Sequence, residues 1–157
     1  MTPIQVIARI GRLRGRFHQE LADLFARYDL TAADFAVIAA LRRSGEPYEL
    51  SQSALMQRLG LTSGTVSVRL NRLEVKDAVT RTSHPSDARG SLVQLTPKGV
   101  DLFAEVAPAH LTNEEVLLSA LTDPERDTLA HLLRKLLNLL RARALHQPAG
   151  LPGRACA

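Results

Sequence analysis

The cationic side chains of this 157-residue chain are concentrated in one stretch. The chain has 20 Lys+Arg against 16 Asp+Glu, which gives a formal net charge of +4. Residues 51–99 hold seven cations and three anions, so they carry the whole excess and the other residues cancel. The seven cations are Arg58, Arg69, Arg72, Lys76, Arg81, Arg89 and Lys98. Such a cluster favours a polyanionic partner, although a solvated face that happens to be basic would give the same count.

Residues 62–75 have the pattern of a helix that could enter the major groove of DNA. Thr62 is a predicted N-cap, and Val66, Leu70 and Leu73 form an apolar back at helical spacing. Small residues near the start permit close approach, hydroxyls can contact phosphates or base edges, and Val68 could touch a thymine methyl. The candidate contacts are Ser63, Gly64, Thr65, Ser67, Val68, Arg69, Asn71 and Arg72.

The two arginines of this helix have different expected roles. Arg72 lies further along the outward face and is expected to reach phosphate. Arg69 lies on the flank, where a phosphate contact and an intramolecular pair with Glu74 or Asp87 both remain open. A plain amphipathic core helix is the alternative for the whole segment, and it loses ground because the outward face carries no acid before Glu74.

A hairpin is predicted after this helix, and we call residues 79–96 the wing. Residues 79–83 and 91–96 are rich in β-branched types, and the turn-rich residues 84–90 lie between them. Arg89 and His84 at this tip could reach the adjacent minor groove, whose potential attracts guanidinium groups. Asp87 would repel phosphate unless paired, so it is expected to orient Arg89. A solvated loop with a local ion pair is the alternative.

Five further helices are predicted around these elements. The first has an apolar stripe from Ile7 to Tyr28, interrupted only by Arg14, which packs either on its own domain or on another chain. Thr31 and Ser51 are predicted N-caps of two short helices, and Gly60 is a left-handed C-terminal residue. The last two helices are marked by Thr96-Pro97, by Pro108 as a predicted kink or break, and by a Thr122–Glu125 capping box.

The order short helix, turn, second short helix and hairpin is that of a winged helix-turn-helix. The fold class is therefore predicted as mainly α with a small β-hairpin wing, flanked by N- and C-terminal dimerisation helices. An apolar fraction of 45% and a charged fraction of 23% are typical of a globular protein. The residues after 145 are expected to be disordered.

Several other classes are disfavoured. No apolar run approaches a membrane span, no secretory signal is evident, and the single cysteine, Cys156, excludes an internal disulfide, so a cytoplasmic protein is expected. No phosphate loop, nucleophile triad or metal-ligand spacing is visible, so neither an enzyme nor a cofactor or metal is predicted. All six aromatic residues lie outside residues 49–102, which leaves a single-strand or RNA binder without a stacking platform.

Residues 30–103 resemble the MarR family of multiple-antibiotic-resistance regulators. The resemblance rests on LTAADFAVIAAL, LSQSALMQRLGLTSGTVSVRLNRLE and VTRTSHPSDARGSLVQLTPKG. Its specific part is the pattern Asp87, Arg89, Leu95, Thr96 and Gly99. The flanks are similar too, which implies one domain over 1–145, with dimerisation helices at 1–29 and 97–145 around a winged motif at 30–96. Most relatives have Gly where this chain has Asp77, so a left-handed Asp is expected there.

The resemblance implies an obligate homodimer on double-stranded DNA with a pseudo-palindromic operator. It further implies a repressor that a small aromatic or anionic effector releases by binding between the dimerisation helices and the winged motif. Arg14 and His18 on the first helix are the candidate ligand contacts, against an ordinary surface role. The alternative function is a winged-helix protein-interaction module without sequence-specific DNA binding.

Replacing Arg89 with alanine tests the predicted contact at the wing tip. Operator binding should weaken by about 1–3 kcal/mol, because one guanidinium contact in the groove would be lost. A gel-shift titration at fixed salt measures the change. Unchanged binding would exclude the wing tip as a DNA contact.

Overall fold

The computed structural model describes residues 2–84 and 87–146, but not the side chains of residues 84, 87–89 and 144–146. The predicted tail after 146, with Cys156, therefore lies outside the described residues. Internal contacts divide the chain into two compact units, Met1–Glu114 and Glu115–Ala157. The elements in chain order are α1 Pro3–Ala26, α2 Ala32–Arg42, β1 Glu49–Ser51, α3 Gln52–Leu59, α4 Ser63–Val75, β2 Val79–His84, β3 Asp87–Leu95, α5 Pro97–Leu117 and α6 Asp123–His146.

The predicted fold class is confirmed, with one strand more than the sequence indicated. The sheet has three antiparallel strands in the order β1-β3-β2. The wing hairpin pairs Val79 with Leu95 and Arg81 with Val93, whereas β1 pairs Leu50 with Val93 on the other side of β3. A strand as short as Glu49–Ser51 carries no period of its own, so only its partner identifies it.

The predicted helix ends are confirmed by their hydrogen bonds. Thr31 and Asp34 form a reciprocal capping box on α2, with Thr31 N donating to Asp34 Oδ2 at 3.0 Å and Asp34 N donating to Thr31 Oγ1 at 3.1 Å. Ser51 caps α3 and Thr62 caps α4. Gly60 ends α3 at φ 64°, and Asp77 adopts the left-handed conformation at φ 58°. These features depend on residues three or four apart, which the sequence displays directly.

A kink or a break is predicted at Pro108, and the break is wrong, because α5 continues from Pro97 to Leu117 through the proline. Proline removes one backbone donor and costs about 3 kcal/mol inside a helix. The helix is held beside it by Val106, which is fully buried, and by Phe103 and Ala107, which pack on the core.

At the capping box of α6, Glu125 accepts from both the backbone N–H and the hydroxyl of Thr122. These bonds lower the pKa of the Glu125 carboxyl.

The hydrophobic core of the first unit holds the winged motif together. Its fully buried members come from α2, α3, α4, the sheet and α5, and include Val37, Ile38, Leu41, Leu55, Val66, Leu70, Leu73, Val93 and Val106. Burying one such side chain contributes about 1.5–3 kcal/mol. No helix among residues 2–84 and 87–146 is both long enough and apolar enough to cross a membrane.

Thr96 and Gly99 join the start of α5 to the turn after α4, and we call this connection the clamp. It explains why a threonine and a glycine stand at these two positions. Thr96 Oγ1 donates to the Asp77 carbonyl at 2.6 Å and accepts from Gly99 N–H at 3.0 Å. A Cβ added at Gly99 would lie 2.0 Å from the Ala78 carbonyl oxygen. Only glycine lets α5 lie this close to the turn that follows α4.

Substituting Gly99 with alanine tests this close approach. The free energy of unfolding should fall by about 1–3 kcal/mol, because backbone must move to admit the methyl group. Urea unfolding followed by circular dichroism measures the change. Gly11→Ala is the matched control, since nothing lies within 4 Å of its added Cβ in α1. That helical substitution should stabilise by up to about 1 kcal/mol, and equal stability of the two variants would contradict the clamp.

Candidate nucleic-acid interface

Helix α4 presents three chemically distinct faces. Its apolar back is formed by Val66, Leu70 and Leu73, each 0% exposed. This spacing orients the helix, because rotation about its axis would bring an apolar residue into water. The orientation then decides which of the predicted contact residues face outward and which face the wing.

The polar side chains on a second face of α4 form hydrogen bonds with α3 and with the wing. Gln52 Nε2 donates to Ser67 Oγ at 3.0 Å, and Ser91 Oγ donates to Gln52 Oε1 at 3.0 Å. One turn further along α4, Arg81 Nη2 donates to Asn71 Oδ1 at 2.7 Å and forms an ion pair with Glu74. Ser67 and Asn71, both candidate DNA contacts, are therefore held by side chains of the protein itself. Sequence reasoning missed Gln52 and Arg81, since no local pattern marks them.

The third face of α4 is open. Ser63, Gly64 and Thr65 are exposed at its start, and Val68 is 62% exposed one turn on. Thr62 Oγ1 and Thr65 Oγ1 lie 2.9 Å apart and form a hydrogen bond in which either hydroxyl can donate. The described side chains on this face include no acid apart from the buried Asp34 at its edge. It is a small, hydroxyl-bearing and partly apolar surface of the kind that a DNA groove admits.

Arg72 at the edge of this face is anchored to α2. Its Nη2 lies 3.2 Å from Asp34 Oδ2, and its side chain is 49% exposed whereas that of Asp34 is fully buried. Asp34 Oδ1 is also buried and has no hydrogen-bond partner among the described residues. A guanidinium has five N–H donors, so Arg72 keeps others for a phosphate. Arg69 is half-buried, and Glu74 pairs with Arg81 in its place.

The C-terminal end of α4 is tied to the turn after α1. Lys76 pairs with Asp29, and the hydrogen bond and charge of Lys76 hold the pKa of the Asp29 carboxyl below its ordinary value. Asp29 takes the left-handed backbone conformation, with φ 52°, in this turn. Arg72 and Lys76, two of the cations counted in the basic stretch, thus make intramolecular pairs that hold α4 in place.

The wing tip is described only through its backbone. His84 ends β2 and pairs with Asp87 at the start of β3, next to an irregularity between Ser83 and His84. Arg89 follows two residues later on β3. The side chains of His84, Asp87 and Arg89 lie outside the described part of the chain, so their contacts remain predictions.

A separate cavity lies between α1, α2 and α5 within the first unit. It has a volume of about 450 Å³ and is lined by Phe25, Phe35, Phe103, His110 and Arg43 among others. The His110 ring lies 5.3 Å from both Phe25 and Phe35, and its Nε2 is 3.4 Å from Glu114 Oε1. His110 Nδ1 is buried without a hydrogen-bond partner in the described residues.

The predicted ligand contacts are not part of this cavity. Arg14 and His18 are exposed on α1 and do not line it. Sequence reasoning missed His110 and Arg43 because they lie 67 residues apart and only the packing of α2 and α5 brings them together. In the described residues, no group of three or more His, Cys, Asp or Glu side chains could hold a metal ion.

The fold and the open face of α4 beside the two-stranded wing define a winged-helix DNA-binding protein. The MarR family matches over residues 28–90. The transcriptional regulator PecS of Dickeya dadantii is 34% identical over 131 residues, covering 83% of this chain and 79% of PecS. MarR of Salmonella typhimurium is 33% identical over 139 residues, covering 83% of this chain and 92% of that MarR. The chain therefore belongs to the MarR family of DNA-binding transcriptional regulators, and these relatives are regulators, not enzymes.

Solved structures agree with this assignment. A mutant MarR from E.coli complexed with operator DNA has a TM-score of 0.75 at 27% identity, covering 87% of this chain and 99% of that one. Bordetella bronchiseptica BpsR, whose DNA binding is regulated by 6-hydroxynicotinic acid, has a TM-score of 0.75 at 29% identity, covering 84% and 98%.

Replacing Arg72 with alanine tests its anchoring role. The free energy of unfolding should fall by about 1–3 kcal/mol, because Asp34 would keep a buried carboxylate without its cation. Chemical denaturation measures the loss. Arg69→Ala, three residues earlier, is the control and should change stability by less than about 0.5 kcal/mol. The double variant Arg72→Ala/Asp34→Asn should recover stability, since the buried charge is removed and an asparagine amide oxygen can still accept from Thr31 N–H; no recovery would refute the ion pair as the cause.

Proposed function

We propose that this protein is a homodimeric, sequence-specific repressor that binds a pseudo-palindromic operator in double-stranded DNA and is released by a small aromatic acid. The observation that carries the proposal is the open face of α4, with exposed Ser63, Gly64, Thr65 and Val68 and the wing fastened beside it. In this arrangement α4 enters the major groove and the wing reaches the flanking minor groove. The similarity to MarR bound to operator DNA supports it.

Exposed apolar surface on the terminal helices supports dimerisation. Along α1, Ile4 is 80% and Ile7 is 67% exposed. Along α6, the exposed leucines are Leu129, Leu132, Leu133, Leu136, Leu137, Leu139 and Leu140. On either helix, exposed apolar surface of this extent usually marks an interface. Two copies related by a two-fold axis would place their α4 helices in half-sites about 34 Å apart.

The aromatic cavity supports a small planar acid as the effector. Phe25, Phe35 and Phe103 provide apolar ring faces, and Arg43 and the unpartnered Nδ1 of His110 provide polar groups. BpsR responds to 6-hydroxynicotinic acid, a molecule of this class. Arg14 and His18 would add ligand contacts only where a second copy covers α1.

Selection of bound fragments from genomic DNA, with and without 6-hydroxynicotinic acid, tests the proposal as a whole. Recovery of one pseudo-palindromic sequence supports an operator-binding dimer, and its loss with the acid supports the effector class. Recovery of no preferred sequence would instead favour the protein-interaction module. Retention of the operator at millimolar acid would exclude 6-hydroxynicotinic acid as the effector while leaving the DNA-binding assignment supported.

Dimerisation through α6 is the accompanying prediction. Sedimentation at micromolar concentration should give twice the mass of one chain, because a separated chain would leave the leucine face in water. The variant Leu132→Glu/Leu136→Glu should sediment as a monomer, since two charges would be buried in the interface. Asn138→Glu, which adds one charge at a polar position of the same exposed helix, is the control and should stay dimeric. A monomeric wild-type chain would refute the prediction.

A further inference from the structure

Gln52 occupies a junction that the proposed DNA contacts do not include. It is the first residue of α3 and directly follows β1, whose last residue, Ser51, pairs with Leu92 of β3. This register places Gln52 beside Ser91 on the wing strand. Its side chain extends between the wing and α4, where it reaches Ser67.

The Gln52 amide joins the two DNA-facing parts of the fold. It bonds to Ser67 Oγ and Ser91 Oγ, each at 3.0 Å, and all three side chains are partly buried. Either orientation of the amide connects the two hydroxyls, because each serine can donate or accept. Asparagine would be too short by one methylene group to reach both hydroxyls.

A second connection lies one turn along the same face of α4. Arg81 of β2 binds Asn71 and Glu74, and Arg81 is paired with Val93 across the wing. Val79, Val93 and Leu95 pack the base of the wing into the core, and the bonds through Gln52 and Arg81 add two side-chain connections that set the angle of the wing against α4. With Gln52 removed, the wing would be held to α4 through Arg81 alone among the described side-chain bonds.

We propose that Gln52 is a positioning residue for DNA recognition, which sets the wing at the angle at which it meets the base pairs flanking the α4 half-site. The inference rests on the proposed function, since it needs α4 and the wing to contact the same duplex. Gln52 acts through Ser67 and Ser91 and does not itself contact DNA in this proposal. Its effect is confined to the sequence preference that the wing supplies.

The test compares two duplexes once the operator is known. One is the full operator, and the other keeps the half-sites but has scrambled flanks of equal length. The ratio of their affinities, from fluorescence anisotropy at fixed salt, reports the contribution of the wing. Gln52→Met removes both hydrogen bonds at similar side-chain length. We expect it to reduce this ratio about three- to tenfold, while binding to the scrambled duplex stays within about twofold.

Control variants separate positioning from a general loss of structure. Gln94→Met removes an amide that bonds the Pro47 carbonyl within the same sheet but does not reach α4, so it should leave the ratio unchanged. Ser91→Ala should reproduce the loss, and combining it with Gln52→Met should add nothing further. Gln52→Asn should behave like Gln52→Met.

Three results would overturn the inference. They are an unchanged ratio in both Gln52→Met and Ser91→Ala, an equal loss of affinity for the two duplexes, and a wild-type protein with no preference for the native flanks. Failure of the proposed function is seen separately, because the wild-type chain would then select no operator at all.

Discussion

Burial of one face of α4 is the constraint on which the rest of the structure depends. Val66, Leu70 and Leu73 are 0% exposed, and together they fix the rotation of the helix about its axis. A rotation of one residue would exchange an apolar side chain for a polar one in the core, at a cost of about 2–3 kcal/mol or more. With that rotation set, Ser67 must face α3 and Val68 must face outward.

The basic residues of the stretch 51–99 have two roles. Some pair with acids of the protein, and all contribute to its positive net charge. Arg72, Lys76 and Arg81 pair with Asp34, Asp29 and Glu74, and each pair links α4 to a different neighbouring element. These pairs hold α4 against α2, the turn after α1 and the wing. The net excess of +4 is not changed by these pairs, and such an excess favours a polyanionic partner. Some of the cations that hold α4 in position therefore also belong to the basic stretch that favours a polyanionic partner.

Local features were predictable because their causes are local. The caps at Thr31, Ser51 and Thr62 and the left-handed Gly60 follow from bonds over three or four residues. The helix does not break at Pro108, because packing of the buried Val106 beside it offsets part of the local penalty. Strand β1 was missed because three residues have no recognisable period, and its pairing partner lies over 40 residues away.

By itself the sequence determined the order of the helices and the hairpin, the apolar back of α4 and the family to which the chain belongs. Only the tertiary structure decided which polar groups meet. Gln52 lies 15 residues from Ser67 and 39 from Ser91, and no spacing rule connects them. The cavity between Phe35 and His110 likewise exists only because α2 and α5 pack together. Periodicity reports which side of a helix is buried, whereas the partner of each polar group depends on contacts between distant segments.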